Sequence, residues 1–209
     1  MGIGESGVAV VGGLFEVRIH GRGGQGVVTA AELLSVAAFD EGHHAQAFPS
    51  FGSERTGAPV VSYCRISDRE IRSREPVMSP DALIIQDATL VHQVDLFAGV
   101  PEWGFVLINT SRPVGDLGLA NALARFASWR VVSCPATELA IEHVGRPLPN
   151  AALLGGFAAL TGRVSLGAIE RAVRERFPGP VGEANAAAAA SAYGYVAAQV
   201  PGRVDAPAG

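Results

Sequence analysis

The chain has 209 residues, 48% of them hydrophobic, which is enough to bury the core of one domain. Its formal net charge of -4 argues against a general nucleic-acid binder, which needs a basic face for phosphates. Every basic residue is arginine, and the absence of lysine removes Walker phosphate loops, Schiff bases and lysine-linked pyridoxal chemistry together.

Residues 1–14 read as an N-terminal extension. They lack the basic n-region of a signal peptide, and no apolar run reaches membrane-span length, so the expectation is a soluble cytoplasmic chain. Phe15 to His20 alternates as a first strand, and Val27 to Asp40 carries a helical apolar face that stops at Glu41-Gly42. Between them lies Gly21-Arg22-Gly23-Gly24-Gln25-Gly26, a G-x-G-x-x-G match in the strand-turn-helix setting that binds phosphates. The pattern alone is cheap, because Gly2-Ile3-Gly4-Glu5-Ser6-Gly7 fits it as well. Glycines let the backbone approach an anion closely, the helix N-terminus offers unpaired N–H groups, and Arg22 adds a mobile positive charge.

A dinucleotide would further need an acid at the end of the second strand for the ribose hydroxyls. Asp40 and Glu41 have roughly the right offset but fall at the helix end, and the short strand Ala45 to Phe48 runs into Pro49-Ser50. Self-contained NAD binding is therefore disfavoured, and a glycine turn that holds no ligand stays open. The following "PSFGSERTGAP" is a long polar loop with aromatic residues, costly to order unless it touches something; Phe51 reads as an interface anchor. "VVSYCRIS" and "EIRSREPV", flanking Asp68-Arg69, suggest a β-hairpin.

Ala82 to Ile85, Phe105 to Ile108 and Arg130 to Ser133 are apolar runs of the kind buried in a parallel sheet, each with a loop and helix expected after it. Ala151 to Thr161 suits a central helix, Ser165 caps an amphipathic helix to Phe177, and Glu183 to Ala198 is helical by propensity. Residues 200–209 form a tail, leaving 15–199 as the domain. The fold class is α/β: a three-layer α/β/α Rossmann-like domain whose mainly parallel sheet includes a hairpin. Cys64 and Cys134 make no C-x-x-C pair, cannot supply the four thiolates of an iron–sulfur cluster, and read as buried small hydrophobes. His43-His44 lack the carboxylate and histidine neighbours of a metal site, and Asp87 reads as a cap for the following helix.

Taken in order, "HGRGGQGVVTAAELL", "QAFPSFGSERTGAPVVSYCRI", "IRSREPV", "PDALIIQDATL" and "NAALLGGFAALTG" resemble the gamma subunit of the 2-oxoacid:ferredoxin oxidoreductases, from about Phe15 to Tyr195. The "FPSFGSER" form is similar to the pyruvate and branched-chain 2-oxoacid members. Thr56 departs from the pattern, standing where a second arginine is expected, and so does the segment before Phe15. The resemblance implies a subunit without catalytic residues of its own. Thiamine diphosphate and [4Fe-4S] clusters would then sit on alpha, beta and delta partners, electrons would pass to ferredoxin, and the gamma domain would contribute to the coenzyme A site. Gly21, Arg22, Gly23, Gly24, Gln25 and Gly26 become candidates for the coenzyme A phosphates. Arg55 and Arg112, in loops or after strand ends, are further candidates for which an ordinary salt bridge serves equally well. The alternatives are a self-sufficient NAD(P) or FAD oxidoreductase and a purely structural packing subunit.

Overall fold

A computed structural model describes residues 13–50 and 56–201. The second glycine pattern at residues 2–7, the loop residues Phe51 and Arg55, and residues 202–209 of the tail lie outside the described residues. Six strands form one mixed sheet: β1 (Phe15–Arg22), β2 (His44–Pro49), β3 (Pro59–Ser67), β4 (Ala82–Ile85), β5 (Phe105–Asn109) and β6 (Val131–Cys134). Their order is β2-β3-β1-β4-β5-β6. The β1-β4, β4-β5 and β5-β6 pairings are parallel, while β3 lies antiparallel to both β1 and β2.

The hairpin expected from the sequence is present with different strands. It is β2 and β3 that pair, whereas residues 70–77 form no strand. The reason is that β3 already has a neighbour on each edge, so its backbone has no ladder left to offer. The carbonyls of that segment are used otherwise. Arg65 in β3 donates to the Ser73 and Glu75 carbonyls at 3.0 and 2.7 Å, strapping the segment to the sheet.

The two faces of the sheet are covered differently. One packs α1 (Val27–Asp40), α3 (Ala136–Val144), α4 (Asn150–Thr161), α5 (Leu166–Arg176) and α6 (Pro180–Ala197) over Val17, Ile19, Cys64, Ile84, Leu107 and Val132. The other covers Leu83, Ile85, Val106 and Ile108 with Leu90, Leu96, Phe97, Leu119 and Phe126. These come from short 3₁₀ turns, connecting loops and the flank of the four-residue helix α2 (Ala120–Leu123). Full helices were expected after β4 and β5. The connections are instead short 3₁₀ turns and the four-residue α2; after β5, Gly118 takes left-handed backbone at φ 69° and ends the first of these turns. On the helical face the boundaries follow the sequence closely, and Ser165 caps α5 by accepting from the Ala168 N–H at 3.1 Å.

Every residue of α4 is buried, and its close neighbour is the alanine-rich α6. A Cβ on Gly155 would stand 1.9 Å from the Ala189 carbonyl oxygen, so the helices meet backbone to backbone there. Gly155→Ala should therefore destabilise the chain by about 1–3 kcal/mol through overpacking, more than the ~1 kcal/mol that alanine gains over glycine in a helix. Urea denaturation reads this directly. A variant as stable as the parent would mean that α4 and α6 separate without cost.

On the other face, β1 buries Arg18 and His20. Arg18 donates to the Leu96 and Ala98 carbonyls at 2.8 and 2.7 Å. Burial pushes the His20 imidazole down to about 4, and the neighbouring Arg18 guanidinium adds to the shift. The folded protein thus holds His20 neutral where the unfolded chain would protonate it. Stability should fall as pH drops from about 6.5 to 4, by on the order of 3 kcal/mol in total. Denaturation midpoints across that range should show the loss, and His20→Leu should flatten it.

Candidate functional site

The carboxyl ends of β1, β4, β5 and β6 share one edge of the sheet, where α/β folds of this kind place their ligands. Here β1 runs straight into the glycine cluster. Gly24 and Gly26 both hold left-handed backbone, with φ of 93° and 77°, a region that side chains disfavour. Gly26 is the N-cap of α1 and makes no side-chain cap bond, and no acidic residue occupies the first helical turn. The N-terminal N–H groups of α1 therefore face outward with their dipole unneutralised.

Internal hydrogen bonds close the loop. The Arg22 N–H donates to Gln25 Oε1 at 2.8 Å, and the Gln25 N–H donates to the Arg22 carbonyl at 3.1 Å. The second sequence block docks directly onto the first. The Gly23 N–H donates to the Ala58 carbonyl at 2.9 Å, the Gly57 N–H donates to the Gly23 carbonyl at 3.0 Å, and Gly23 bridges Thr56. Among the described residues, the N–H groups of Gly24 and Gly26 have no acceptor. The three outer glycines are needed for different reasons. A Cβ on Gly21 would meet Val27 Cγ2 at 2.5 Å, and one on Gly26 would meet Asn150 Nδ2 at 2.9 Å. One on Gly24 would meet only Thr56 Cγ2, at 4.0 Å. Gly24 thus opens on a cleft of about 320 Å³ lined by Arg22, Gly23, Gly24, Gly26, Val27, Val28 and Val60.

Arg22 is held in place, which corrects the expectation of a mobile charge. Its guanidinium donates to Asp87 Oδ2 at 3.1 Å, the Gly57 carbonyl at 3.1 Å, Thr89 Oγ1 at 2.8 Å and Gln93 Oε1 at 3.1 Å. Asp87 does cap the turn that follows it, accepting from the Thr89 N–H at 2.9 Å, and it also binds Gln25 Nε2 at 2.9 Å. Burial raises the Asp87 carboxyl, but hydrogen bonds from Thr89 and Gln25 and the Arg22 charge more than offset this, so the net shift is downward. Gln86, immediately before Asp87, is buried beneath the loop and donates from Nε2 to the Gln25 carbonyl. No spacing rule marks Gln86, Thr89 or Gln93, since they join the loop only through the parallel pairing of β1 with β4.

Arg112 lies in the turn after β5, on the same edge of the sheet. It is exposed, its N–H donates to Thr110 Oγ1 at 3.1 Å, and its guanidinium donates to the Asp116 carbonyl. It does not line the glycine cleft. Arg55 lies outside the described residues, next in sequence to Thr56. His43 pairs with Asp68 at 3.0 Å, and His44 begins β2. Among the described residues, no cluster of three His, Cys, Asp or Glu side chains could hold a metal. Cys64 and Cys134 are both free and buried, and burial pushes the Cys134 thiol up to about 12. No helix is long and apolar enough to cross a membrane among the described residues.

The geometry also weighs against a dinucleotide. Asp40 ends α1, a 14-residue helix, and so stands about 20 Å along the axis from the loop. The strand beside β1 is the antiparallel β3, while β2 lies one strand further out and ends in Pro49. Among the described residues, no acid for ribose hydroxyls stands at the end of β2, where the pattern requires one.

A family model for pyruvate ferredoxin/flavodoxin oxidoreductase matches residues 16–195. The pyruvate synthase subunit PorC of Methanothermobacter marburgensis is 46% identical over 180 residues, covering 86% of this chain and 96% of that one. The common gamma subunit of the pyruvate/ketoisovalerate oxidoreductases of Pyrococcus furiosus is 43% identical, with the same coverage of each chain. The crystal structure of pyruvate oxidoreductase subunit PORC from Thermotoga maritima superposes with a TM-score of 0.74 at 34% identity, covering 87% of this chain and 96% of that one. The fold also occurs in the 2-oxoglutarate:ferredoxin oxidoreductase of Magnetococcus marinus, with a TM-score of 0.67 at 16% identity over 94% of this chain and 34% of that one. With its glycine loop, its mixed sheet and nearly its whole length matched, this chain belongs to the pyruvate ferredoxin/flavodoxin oxidoreductase family, as a gamma-type subunit of that oxidoreductase class.

Proposed function

We propose that this subunit lends the coenzyme A phosphates their seat in a complex that converts a 2-oxoacid, coenzyme A and two oxidised ferredoxins to acyl-CoA, carbon dioxide, a proton and two reduced ferredoxins. Alpha, beta and delta partners would carry thiamine diphosphate and the iron–sulfur clusters. When bound, coenzyme A supplies the thiol that takes up the acyl group. The observation that carries the reading is the pair of Gly24 and Gly26 N–H groups, without acceptors among the described residues, beside a helix N-terminus and an open cleft. Unpaired backbone N–H groups in such a concavity suit a phosphate, and coenzyme A offers a pyrophosphate and a 3′-phosphate. The structure of the 2-oxoglutarate:ferredoxin oxidoreductase that shares this fold has coenzyme A and succinyl-CoA bound, a precedent for the ligand class.

The roles divide by chemistry. Backbone N–H groups bind and orient the phosphate, and the helix dipole favours its negative charge. Arg22 contributes chiefly by joining the loop to the turn after β4, with part of its charge spent on Asp87. Arg55 and Arg112 stand as secondary candidates for the 3′-phosphate. The density of bonds inside the loop also suits a packing element, so a test must separate ligand affinity from assembly.

Gly24→Val in the assembled complex should raise KM for coenzyme A about tenfold or more, since the side chain would enter the cleft and strain the backbone there. Coenzyme A-independent, 2-oxoacid-dependent dye reduction should be unchanged. If both activities fall together the loop serves folding or assembly, and if neither changes coenzyme A is held elsewhere. Arg22→Ala should raise the same KM and also lower the subunit's stability by about 1.5–3 kcal/mol, because a half-buried carboxylate loses a charged donor. Thermal unfolding beside coenzyme A kinetics separates this from loss of a ligand contact alone.

A further inference from the structure

We propose that Gln86 is the positioning residue of the phosphate-binding loop, fixing the peptide between Gln25 and Gly26 so that the Gly26 N–H is presented to the ligand; this rests on the coenzyme A reading above. A trans peptide is planar, and its N–H and C=O point in opposite directions. Gln86 Nε2 takes the Gln25 carbonyl from beneath the loop, so the Gly26 N–H of the same peptide turns to the other side. The preceding glycine peptide is set in the same way from another direction. There the Gly57 N–H takes the Gly23 carbonyl at 3.0 Å, which turns the Gly24 N–H away from Gly57. Two carbonyls clamped by the protein thus leave two N–H groups aimed outward, and both glycines line the cleft.

Gln86 is built to be rigid. Its own N–H donates to the His20 carbonyl at 2.7 Å, and its carbonyl accepts from Asn109 Nδ2 at 2.8 Å, which anchors its backbone between β1 and β5. The residue is 1% exposed and its side chain passes close under the loop, for a Cβ on Gly21 would stand 3.3 Å from Gln86 Cβ. Its Oε1 is buried with no partner among the described residues. A buried amide with one end unsatisfied is costly at a position where an apolar side chain would fill the space. The bond to the loop carbonyl is what the amide supplies there and an apolar side chain could not.

The test uses the assembled complex with Gln86→Met, which keeps the length of the side chain and removes the donor. KM for coenzyme A should rise about three- to tenfold, as expected for one lost hydrogen bond acting on ligand affinity. Turnover at saturating coenzyme A, and coenzyme A-independent dye reduction, should stay within about twofold, a split that a general folding defect would not produce. Gly24→Val serves as the control for the underlying reading. If Gly24→Val raises KM and Gln86→Met does not, the positioning role is wrong while the site stands. If neither raises KM, the site itself is elsewhere and the positioning role fails with it. Gln86→Asn, which keeps the amide one methylene short, guards against misfolding. Should both Gln86 variants fail to assemble, the residue is a folding element and the proposal is overturned.

Discussion

The left-handed backbone at Gly24 and Gly26 is the constraint on which the functional edge of the sheet depends. It lets β1 leave the sheet and enter α1 within a few residues, and it turns peptide N–H groups outward as it does so. A side chain at either position would oppose this conformation, and at Gly26 it would also collide with Asn150. Sheet, helix and proposed anion site are thus one geometric solution. The chain cannot make the tight strand-to-helix turn without producing unpaired donors, and those donors face a cleft.

Such a turn is unstable without support, because its peptides make few ladder bonds. The support comes from three sides, supplied by two stretches remote in sequence, residues 56–58 and 86–93. Thr56, Gly57 and Ala58 lie along one side, Gln86 sits beneath, and Asp87 with Thr89 and Gln93 gathers the Arg22 guanidinium on the outside. Arg22 thereby works as a strut. Its planar group reaches four acceptors at once, which a lysine ammonium on a flexible stem would not do in the same fixed geometry. This suits a chain in which every basic residue is arginine, and Arg65 and Arg18 do the same structural work further along the sheet.

How much was legible in the sequence depended on whether the deciding interaction was local. Val27–Asp40 and Ala82–Ile85 follow from periodicity and apolar runs to the residue, because burial of one face or of both decides them. The Ser165 cap and the Asp87 cap follow from short-range side-chain chemistry. The hairpin partner of β3 is not legible, because local pattern cannot show that β3 has both edges taken. Arg22 reads as a free ligand group because its partners stand 35 to 71 residues away, brought near only by the pairing of β1 with β3 and β4. Gln86 was invisible for the same reason, since a glutamine after a buried strand carries no signal until the glycine loop is laid above it.

The two conspicuous sequence blocks then turn out to be one object. "HGRGGQG" supplies the cleft-facing peptides, and the end of "FGSERTGAP" holds them, through the Gly23-Thr56 bridge and the pair of bonds between Gly23 and residues 57 and 58. Contact between a partner and residues 56–58 would bear on the Gly23 carbonyl, and through the Gly23–Gly24 peptide plane on the direction of the Gly24 N–H. Arg22 extends the same coupling, since its guanidinium binds the Gly57 carbonyl on one side and Asp87 on the other. A subunit seated on residues 56–58 would therefore alter the cleft-facing geometry through hydrogen bonds already present. On the proposed coenzyme A reading, docking of a partner and orientation of the ligand would then depend on the same few peptides.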